Sequence, residues 1–79
     1  MAKKSVFTPR YERLRALLVE ARKQAGLTQA ELATRLGRPQ SFVSKYERGE
    51  RRLDVVELLE VTHAIGVKTA KLIERVERV

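Results

Sequence analysis

The segment 28–50 constrains the fold more than any other part of the chain, because it contains two helix starts with a sharp break between them. Thr28 and Glu31 have the Ser/Thr-x-x-Glu spacing of a capping box, which predicts that a helix begins here. Gly37 follows the last apolar residue of that helix and suits the left-handed conformation in which helices commonly end. Pro39 can open a second helix because it has no N–H group to leave unpaired. The segment is therefore predicted to form two short helices joined by a tight turn.

The second of these helices, predicted over residues 39–48, has two unlike faces. At about 100° per residue, Val43 and Tyr46 fall on one side with the aliphatic stem of Glu47, and Phe42 lies at the boundary. The opposite side has no carboxylate and no large apolar group. It carries one amide, two hydroxyls and two cations, from Gln40, Ser41, Ser44, Lys45 and Arg48. Side chains of these types read base edges and contact phosphates, so this face predicts binding to double-stranded DNA.

The distribution of charge supports a polyanionic partner for one part of the chain only. The 79 residues have a formal net charge of +7. Residues 1–52 contain 13 Lys and Arg against 5 Asp and Glu, whereas residues 53–79 contain 4 against 5. The whole basic excess thus lies in the part that contains the two-helix segment, as expected of a nucleic-acid-binding face beside a region with another task. A chain of this length is expected to form one domain with a modest core.

The chain lacks the sequence signals of secreted, membrane and disulfide-bonded proteins. It contains no cysteine, so disulfides and thiolate metal sites are excluded. Lys3 and Lys4 are not followed by an apolar run long enough for a signal peptide or a membrane span. We therefore expect a cytoplasmic protein with no membrane partner.

The two-helix segment resembles the helix-turn-helix DNA-binding domains of Cro, the phage repressors and other XRE-type proteins, with the helix-turn-helix unit itself at residues 28–49. The resemblance is dense over residues 26–49 and looser over residues 11–72. The matching residues are Gln29, Ala33, Gly37, Val43, Tyr46 and Glu47-x-Gly49. The resemblance implies an all-α fold, a compact bundle of five short helices of the lambda-repressor-like type. It also implies that residues 39–48 form a recognition helix that enters the major groove.

Outside this segment, the organisation follows from caps and periodicity. Residues 1–7 are expected to form a flexible tail, and residues 8–79 the DNA-binding domain. Thr8 can cap a first helix with Pro9 at its first position, and this helix should end near Gly26.

A fourth helix is predicted from Asp54 to Ile65, because Asp54 and Glu57 have capping-box spacing. Five of its residues are predicted to face the core: Val55, Leu58, Val61, Thr62 and Ile65. The Thr62 hydroxyl is expected to bond back to the preceding turn. Residues 68–79 are predicted to form a fifth helix.

The resemblance also implies roles for individual side chains. Arg22 and Glu47 occupy positions at which many family members have a buried ion pair between the first helix and the recognition helix; a solvent-facing Arg22 is the alternative. Base edges are expected to be read by Gln40, Ser41, Ser44 and Lys45. Phosphates are expected to be contacted by Gln29, Arg38, Arg48, Arg51 and Arg52. Phe42 either touches a thymine methyl group or packs against the second helix.

The fourth and fifth helices carry more apolar side chains than one small core needs. We hypothesise a homodimer that is joined through the fifth helix, residues 68–79, as the dimerisation helix. The fourth helix would contribute to the same interface. The predicted interface consists of Leu59, Leu72, Ile73, Val76 and Val79. The alternative is ordinary packing of these side chains within one chain.

The best interpretation is a sequence-specific DNA-binding transcriptional regulator, expected to be a repressor that binds a pseudo-palindromic operator. Two alternatives keep the fold: an antitoxin that binds a toxin protein and regulates its own operon, and a restriction-modification controller. His63, the only histidine, has no nucleophile or second metal ligand in a recognisable arrangement. No phosphate-cradling glycine loop is present. We therefore expect no enzyme activity, no metal and no cofactor.

Overall fold

The computed structural model describes residues 8–78, and these residues form five α-helices. The helices are α1 (Pro9–Gln24), α2 (Gln29–Leu36), α3 (Gln40–Glu47), α4 (Val55–Ile65) and α5 (Thr69–Glu77). The predicted all-α fold of five short helices is confirmed for this part of the chain. The predicted tail, residues 1–7, and Val79 lie outside the described residues.

The predicted helix starts carry their side-chain caps. Thr8 caps α1. At the start of α2, the Thr28 hydroxyl accepts from the Glu31 N–H at 3.0 Å, and the Glu31 carboxylate accepts from the Thr28 N–H at 2.9 Å. Asp54 and Glu57 form the equivalent pair at the start of α4. Because each box satisfies two N–H groups that would otherwise lack partners, both helices begin at a defined residue.

The turn between α2 and α3 follows the prediction, but α3 is shorter by one residue at each end. Gly37 has a φ of 68°, the left-handed conformation expected after α2. Pro39 is the N-cap of α3 and not its first helical residue: its ψ of 153° is extended, and its carbonyl accepts from the Phe42 N–H at 3.0 Å. Arg48 is the C-cap. The proline ring fixes only φ, and the value of −65° suits an extended residue as well as a helical one.

Side chains from all five helices meet in one core. α2 packs on α3 and α4, and α1 contacts α3, α4 and α5. The buried cluster contains Leu17, Leu18, Leu32, Ala33, Phe42, Val43, Tyr46, Leu58, Val61, Ile65, Leu72 and Val76. The face of α3 that was predicted to point inward, with Val43 and Tyr46, is thus buried. Thr62 is also buried, and its hydroxyl donates to the Leu58 carbonyl at 3.1 Å, as predicted.

Two predictions for α4 and α5 are wrong. Val55, assigned to the core, is 73% exposed. Side chains lean toward the N-terminus of their helix. Val55 is the first residue of α4, so its side chain projects past the end of the helix and not into the core. Leu72 and Val76, assigned to a dimer interface, are 6% and 7% exposed and belong to the core of the single chain. Their spacing of four residues puts both on the side of α5 that packs toward α1.

Candidate nucleic-acid interface

One face of α3 is open to solvent and carries no carboxylate. Gln40, Ser41 and Lys45 are exposed, Ser44 is half-buried, and Arg48 is exposed at the C-cap. These are the five polar side chains that the sequence assigned to the outward face. Their contact with DNA stays a prediction, but the fold leaves them accessible on one short helix.

A buried ion pair fixes α3 to α1. Arg22 Nε donates to Glu47 Oε2 at 2.7 Å, and Arg22 Nη2 donates to Glu47 Oε1 at 3.1 Å. The third donor, Arg22 Nη1, bonds to the Leu27 carbonyl at 2.7 Å. Arg22 is 8% exposed and Glu47 6% exposed, and the hydrogen bond to Glu47 raises the pKa of Arg22 above its ordinary value. Such two-point pairing sets both the distance and the orientation of the helices it joins.

Arg15 bonds to the same C-terminal end of α3 as Arg22 does, and the sequence did not lead us to predict this contact. It lies seven residues before Arg22, on the same side of α1, and donates to the backbone carbonyl of Glu47. Glu47 is the last residue of α3, so its carbonyl has no partner within the helix and needs one from elsewhere. Glu12 forms an ion pair with Arg15. The available signal was the spacing of Arg15 and Arg22, which puts both cations on one face of α1.

Gln29 lies between Glu47 and the exposed face of α3. Its Nε2 donates to Glu47 Oε1 at 2.8 Å, and its Oε1 lies 3.4 Å from Gln40 Nε2. The residue is half-buried. Both ends of the amide therefore have partners within the chain, with which a phosphate would have to compete.

A second polar cluster ties α3 to α4. The Phe42 cluster consists of Phe42, Arg38, Arg51 and Glu57. The guanidinium carbons of Arg38 and Arg51 lie 4.4 and 4.8 Å from the centre of the Phe42 ring. Arg51 makes two hydrogen bonds to the Glu57 carboxylate, at 3.0 and 2.8 Å, and Arg38 lies 3.6 Å from the same carboxylate. These arginines, Arg51 first, and the Asp54 N–H lower the pKa of Glu57 to about 2.

The Phe42 cluster changes the roles expected of three residues. Phe42 is 8% exposed and belongs to the buried cluster that also contains Leu32 and Ala33 of α2, which favours packing over contact with a thymine methyl group. Arg38 and Arg51, expected to contact phosphates, are engaged in holding the turn and the following loop against α4. Their side chains are still 35% and 38% exposed beside α3, so they remain within reach of solvent.

The other two predicted phosphate contacts, Arg48 and Arg52, are more open. Arg48 pairs with Glu50 at 3.0 Å, with both side chains more than half exposed, and this bond lowers the pKa of Glu50. An ion pair so exposed is held weakly and is easily exchanged for a phosphate. The Arg52 guanidinium carbon lies 4.5 Å from the centre of the Tyr11 ring, and the Tyr11 hydroxyl accepts from the Leu53 N–H at 3.1 Å. Tyr11 therefore supports the loop that carries these cations.

No group of three or more His, Cys, Asp or Glu within residues 8–78 is arranged to hold a metal ion. Among the helices described, none is long and apolar enough to cross a membrane. His63 is exposed on α4, beside Glu60 and Arg38 in an open groove.

Comparison with known proteins agrees with this geometry. A helix-turn-helix family profile matches residues 18–72. An uncharacterised HTH-type transcriptional regulator, y4dJ of Sinorhizobium fredii (strain NBRC 101917 / NGR234), is 40% identical over 52 residues, which are 66% of this chain and 68% of that protein.

Two solved structures cover more of the chain. An XRE-family like protein from Pseudomonas syringae pv. tomato str. DC3000 is 55% identical with a TM-score of 0.85, covering 87% of this chain and 84% of that one. The clp gene regulator ClgR from C. glutamicum is 28% identical with a TM-score of 0.77, covering 96% and 94%. The family profile matches more than half of the chain, and the relatives above are regulators or proteins of the same type. The chain therefore belongs to the XRE-type helix-turn-helix family of DNA-binding transcriptional regulators.

Proposed function

We propose that this protein is a repressor that binds a pseudo-palindromic site in double-stranded DNA as a homodimer, with α3 in the major groove. The observation that carries the proposal is the outward face of α3, which is polar and cationic while its opposite face is buried. Occupation of a promoter site by such a domain excludes other proteins from it, and repression is the direct consequence.

Base reading is assigned to the exposed side chains near the start and middle of α3. Gln40, at the N-terminal end, has the amide that can bond adenine through N6 and N7. Lys45 can reach guanine O6 and N7. Ser41 and Ser44 can pair with several bases, so they discriminate less. The N-terminal residues of a recognition helix are those that lie closest to base edges, which supports Gln40 as the main contact.

Phosphate binding is assigned to the cations on both sides of α3. Arg48 and Arg52 are the primary contacts, because both are exposed and their own partners are an open ion pair and an aromatic ring. Arg38, Arg51 and Gln29 are secondary, because each already has partners within the chain. Every phosphate that a cation neutralises adds to the salt dependence of binding.

We assign the contact between the two copies of the dimer to an apolar patch on α4 and α5. The patch consists of Val55, Val56, Leu59 and Ile73. The first three are 73%, 62% and 39% exposed, and Ile73 is partly buried. The hydroxyls of Thr62 and Thr69 are in contact, which brings the start of α5 to this side of α4. In a dimer of this type the centres of the two half-sites should lie about 34–36 Å apart.

Selection of bound duplexes from a random pool tests the proposal. We expect an enriched pseudo-palindrome, and we expect Gln40→Ala to cost about 1–3 kcal/mol of binding and to relax preference at one base pair of each half-site. Gln24→Ala, an exposed amide on α1, is the matched control and should leave the selected sequence unchanged. Failure to enrich any sequence would refute the proposal. Light scattering at micromolar concentration tests the dimer separately, with Leu59→Glu expected to give the mass of one chain.

A further inference from the structure

One carboxylate lies among the cations that the proposed function assigns to DNA. Residues 38–53 contain two acidic residues, Glu47 and Glu50. Glu47 is buried against Arg22, so Glu50 is the acidic side chain of this range that is open to solvent. A carboxylate repels phosphates, and a surface that binds DNA would bind it more tightly without one. The presence of Glu50 therefore needs a physical reason.

The end of α3 fixes the backbone of Glu50. Gly49 has a φ of 81°, and the Glu50 N–H donates to the Lys45 carbonyl at 2.9 Å. This bond is the one that closes a Schellman turn after the last residues of a helix. Glu50 is thus held beside the last turn of α3, next to side chains that are expected to contact DNA.

The stability of α3 does not account for a carboxylate at this place. The C-terminal end of a helix carries a partial negative charge, which disfavours an acidic side chain beside it. The Glu50 carboxylate accepts from a single side chain, with Arg48 Nε 3.0 Å from Oε2 and Arg48 Nη2 3.0 Å from Oε1. Both side chains are more than half exposed, so this pair adds little to the free energy of unfolding. What the pair does is engage Arg48, which is one of the two primary phosphate contacts of the proposed function.

We propose that Glu50 is an internal competitor for phosphate, which occupies Arg48 in the free protein and lowers the affinity for double-stranded DNA of any sequence. This inference rests on the proposed role of Arg48 as a phosphate contact. The carboxylate presents two oxygens to two donors of the guanidinium, which is the arrangement that a phosphate takes with an arginine. DNA binding therefore exchanges one anion for another at Arg48, and only the difference between the two interactions adds to the affinity.

Competition at one arginine changes how tightly DNA is bound but not which sequence is preferred. Phosphate contacts carry no direct sequence information, so the loss of affinity applies equally to the selected site and to unrelated DNA. Binding to unrelated DNA depends almost entirely on phosphates, and unrelated sites greatly outnumber the specific one in a genome. Glu50 therefore lowers the occupancy of unrelated DNA, while the base contacts of α3 still distinguish the specific site.

The test measures the increase in affinity when the carboxylate is removed from the intact protein. Fluorescence anisotropy gives the dissociation constants of wild type, Glu50→Gln, Glu50→Ala and Glu20→Gln for the selected duplex and for an unrelated duplex of the same length. We expect both Glu50 variants to bind both duplexes about threefold more tightly, the effect expected of releasing one exposed ion pair. Glu20→Gln is the matched control: it removes the same charge from an exposed ion pair between α1 and α5, and should leave both dissociation constants unchanged.

Removal of Arg48 separates competition from simple repulsion of DNA. In the Arg48→Ala background, Glu50→Gln should change the affinity much less than it does in the wild type, because the cation for which the carboxylate competes is gone. Thermal melts check that each variant is folded at the temperature of titration. Glu50→Ala keeps the test decisive if the amide introduced by Glu50→Gln itself bonds to a phosphate.

Three results would overturn the inference and leave the proposed function in place. Equal increases in the wild-type and Arg48→Ala backgrounds would show that Glu50 repels DNA and does not compete for Arg48. An increase for one duplex alone would assign Glu50 to base reading. Unchanged affinities in both Glu50 variants would show that the carboxylate does not limit binding. If the wild type selects no duplex at all, the proposed function fails first, and the role of Glu50 fails with it.

Discussion

The two ends of the molecule are held together by different kinds of interaction. α3 buries Phe42, Val43 and Tyr46 in the core. It is fixed in addition by directional bonds: Arg22 to the Glu47 carboxylate, Arg15 to the Glu47 carbonyl, and Arg51, which lies over the Phe42 ring, to Glu57. α5 is fixed mainly by the apolar side chains that pack toward α1. Its polar contacts are an exposed pair between Arg75 and Glu20 at 3.7 Å, a hydrogen bond from Arg13 Nε to the Arg75 carbonyl at 3.3 Å, and the contact between the Thr69 and Thr62 hydroxyls. Directional bonds specify an orientation, whereas apolar packing specifies mainly what is hidden from water. The helix that we propose to read DNA is therefore the one whose orientation is specified by directional bonds.

This contrast is tested most strongly by the buried ion pair. Removal of one partner leaves an uncompensated buried charge, so Arg22→Ala and Glu47→Ala should each lower the free energy of unfolding by about 3–5 kcal/mol. Urea unfolding with a spectroscopic probe measures this. Replacement of both residues by apolar ones of similar volume, such as Arg22→Met with Glu47→Leu, is the control and should be much less damaging than the sum of the single changes. Equal and small losses for the single changes would mean that α3 does not depend on directional bonds.

For α5, the free energy of unfolding should depend on the volume of the buried side chains and not on charge. Leu72→Ala should lower the free energy of unfolding by about 2–5 kcal/mol, because it leaves a cavity between α5 and α1. Leu59, at 39% exposure, is the control on the neighbouring helix: Leu59→Ala should change the stability of one chain by about 0.5 kcal/mol or less. A large loss for Leu59→Ala measured on the monomer would show that α4 is more deeply packed than its exposure indicates.

These two ends also differ in how much the sequence could predict. The capping pairs of α2 and α4 and the glycine after α2 are local rules, and the structure follows them. The two faces of α3 follow from periodicity within eight residues. By contrast, Leu72 and Val76 are as apolar as interface residues, and only the direction of α5 relative to α1 shows that they are buried. Local patterns specify which side of a helix is apolar, but they do not specify what covers it.

The directional contacts themselves were only partly predictable. The pairing of Arg22 with Glu47 came from the family resemblance, not from the spacing of two residues that lie 25 positions apart. Arg15 and the Phe42 cluster were missed because their partners come together only when α1, α3 and α4 have docked. Arg38 and Arg51 have the charge expected of phosphate contacts. Nothing in the sequence around them indicated that the Glu57 carboxylate would form ion pairs with both.

Removal of a cation from the exposed side of α3 should weaken DNA binding without changing the free energy of unfolding. Arg48→Ala should weaken binding to all duplexes similarly, by about 1 kcal/mol, and lower the slope of log affinity against log salt by about 0.9, because one phosphate contact is lost. Fluorescence anisotropy at several salt concentrations measures both quantities. Lys23→Ala, an exposed cation on α1, is the control and should leave the slope as it is. A change of sequence preference in Arg48→Ala would assign Arg48 to base reading instead.

The Phe42 cluster should give the smallest effect, and one that depends on pH. Glu57 has a folded-state pKa of about 2 against an ordinary value of 4.5, so its ionised form is favoured by folding. Its contribution to stability is therefore fully present above about pH 4.5 and is lost as the pH falls toward about 2. Glu57→Gln should cost about 1 kcal/mol near neutral pH, and the difference from wild type should shrink through this acid range, as measured by urea unfolding at a series of pH values. Glu60→Gln, at an exposed carboxylate 3.6 Å from Arg38, is the matched control and should give little difference at any pH. A difference between wild type and Glu57→Gln that stayed constant down to pH 2 would mean that the carboxylate does not link α3 to α4, and that packing of Phe42 alone holds this side of α3.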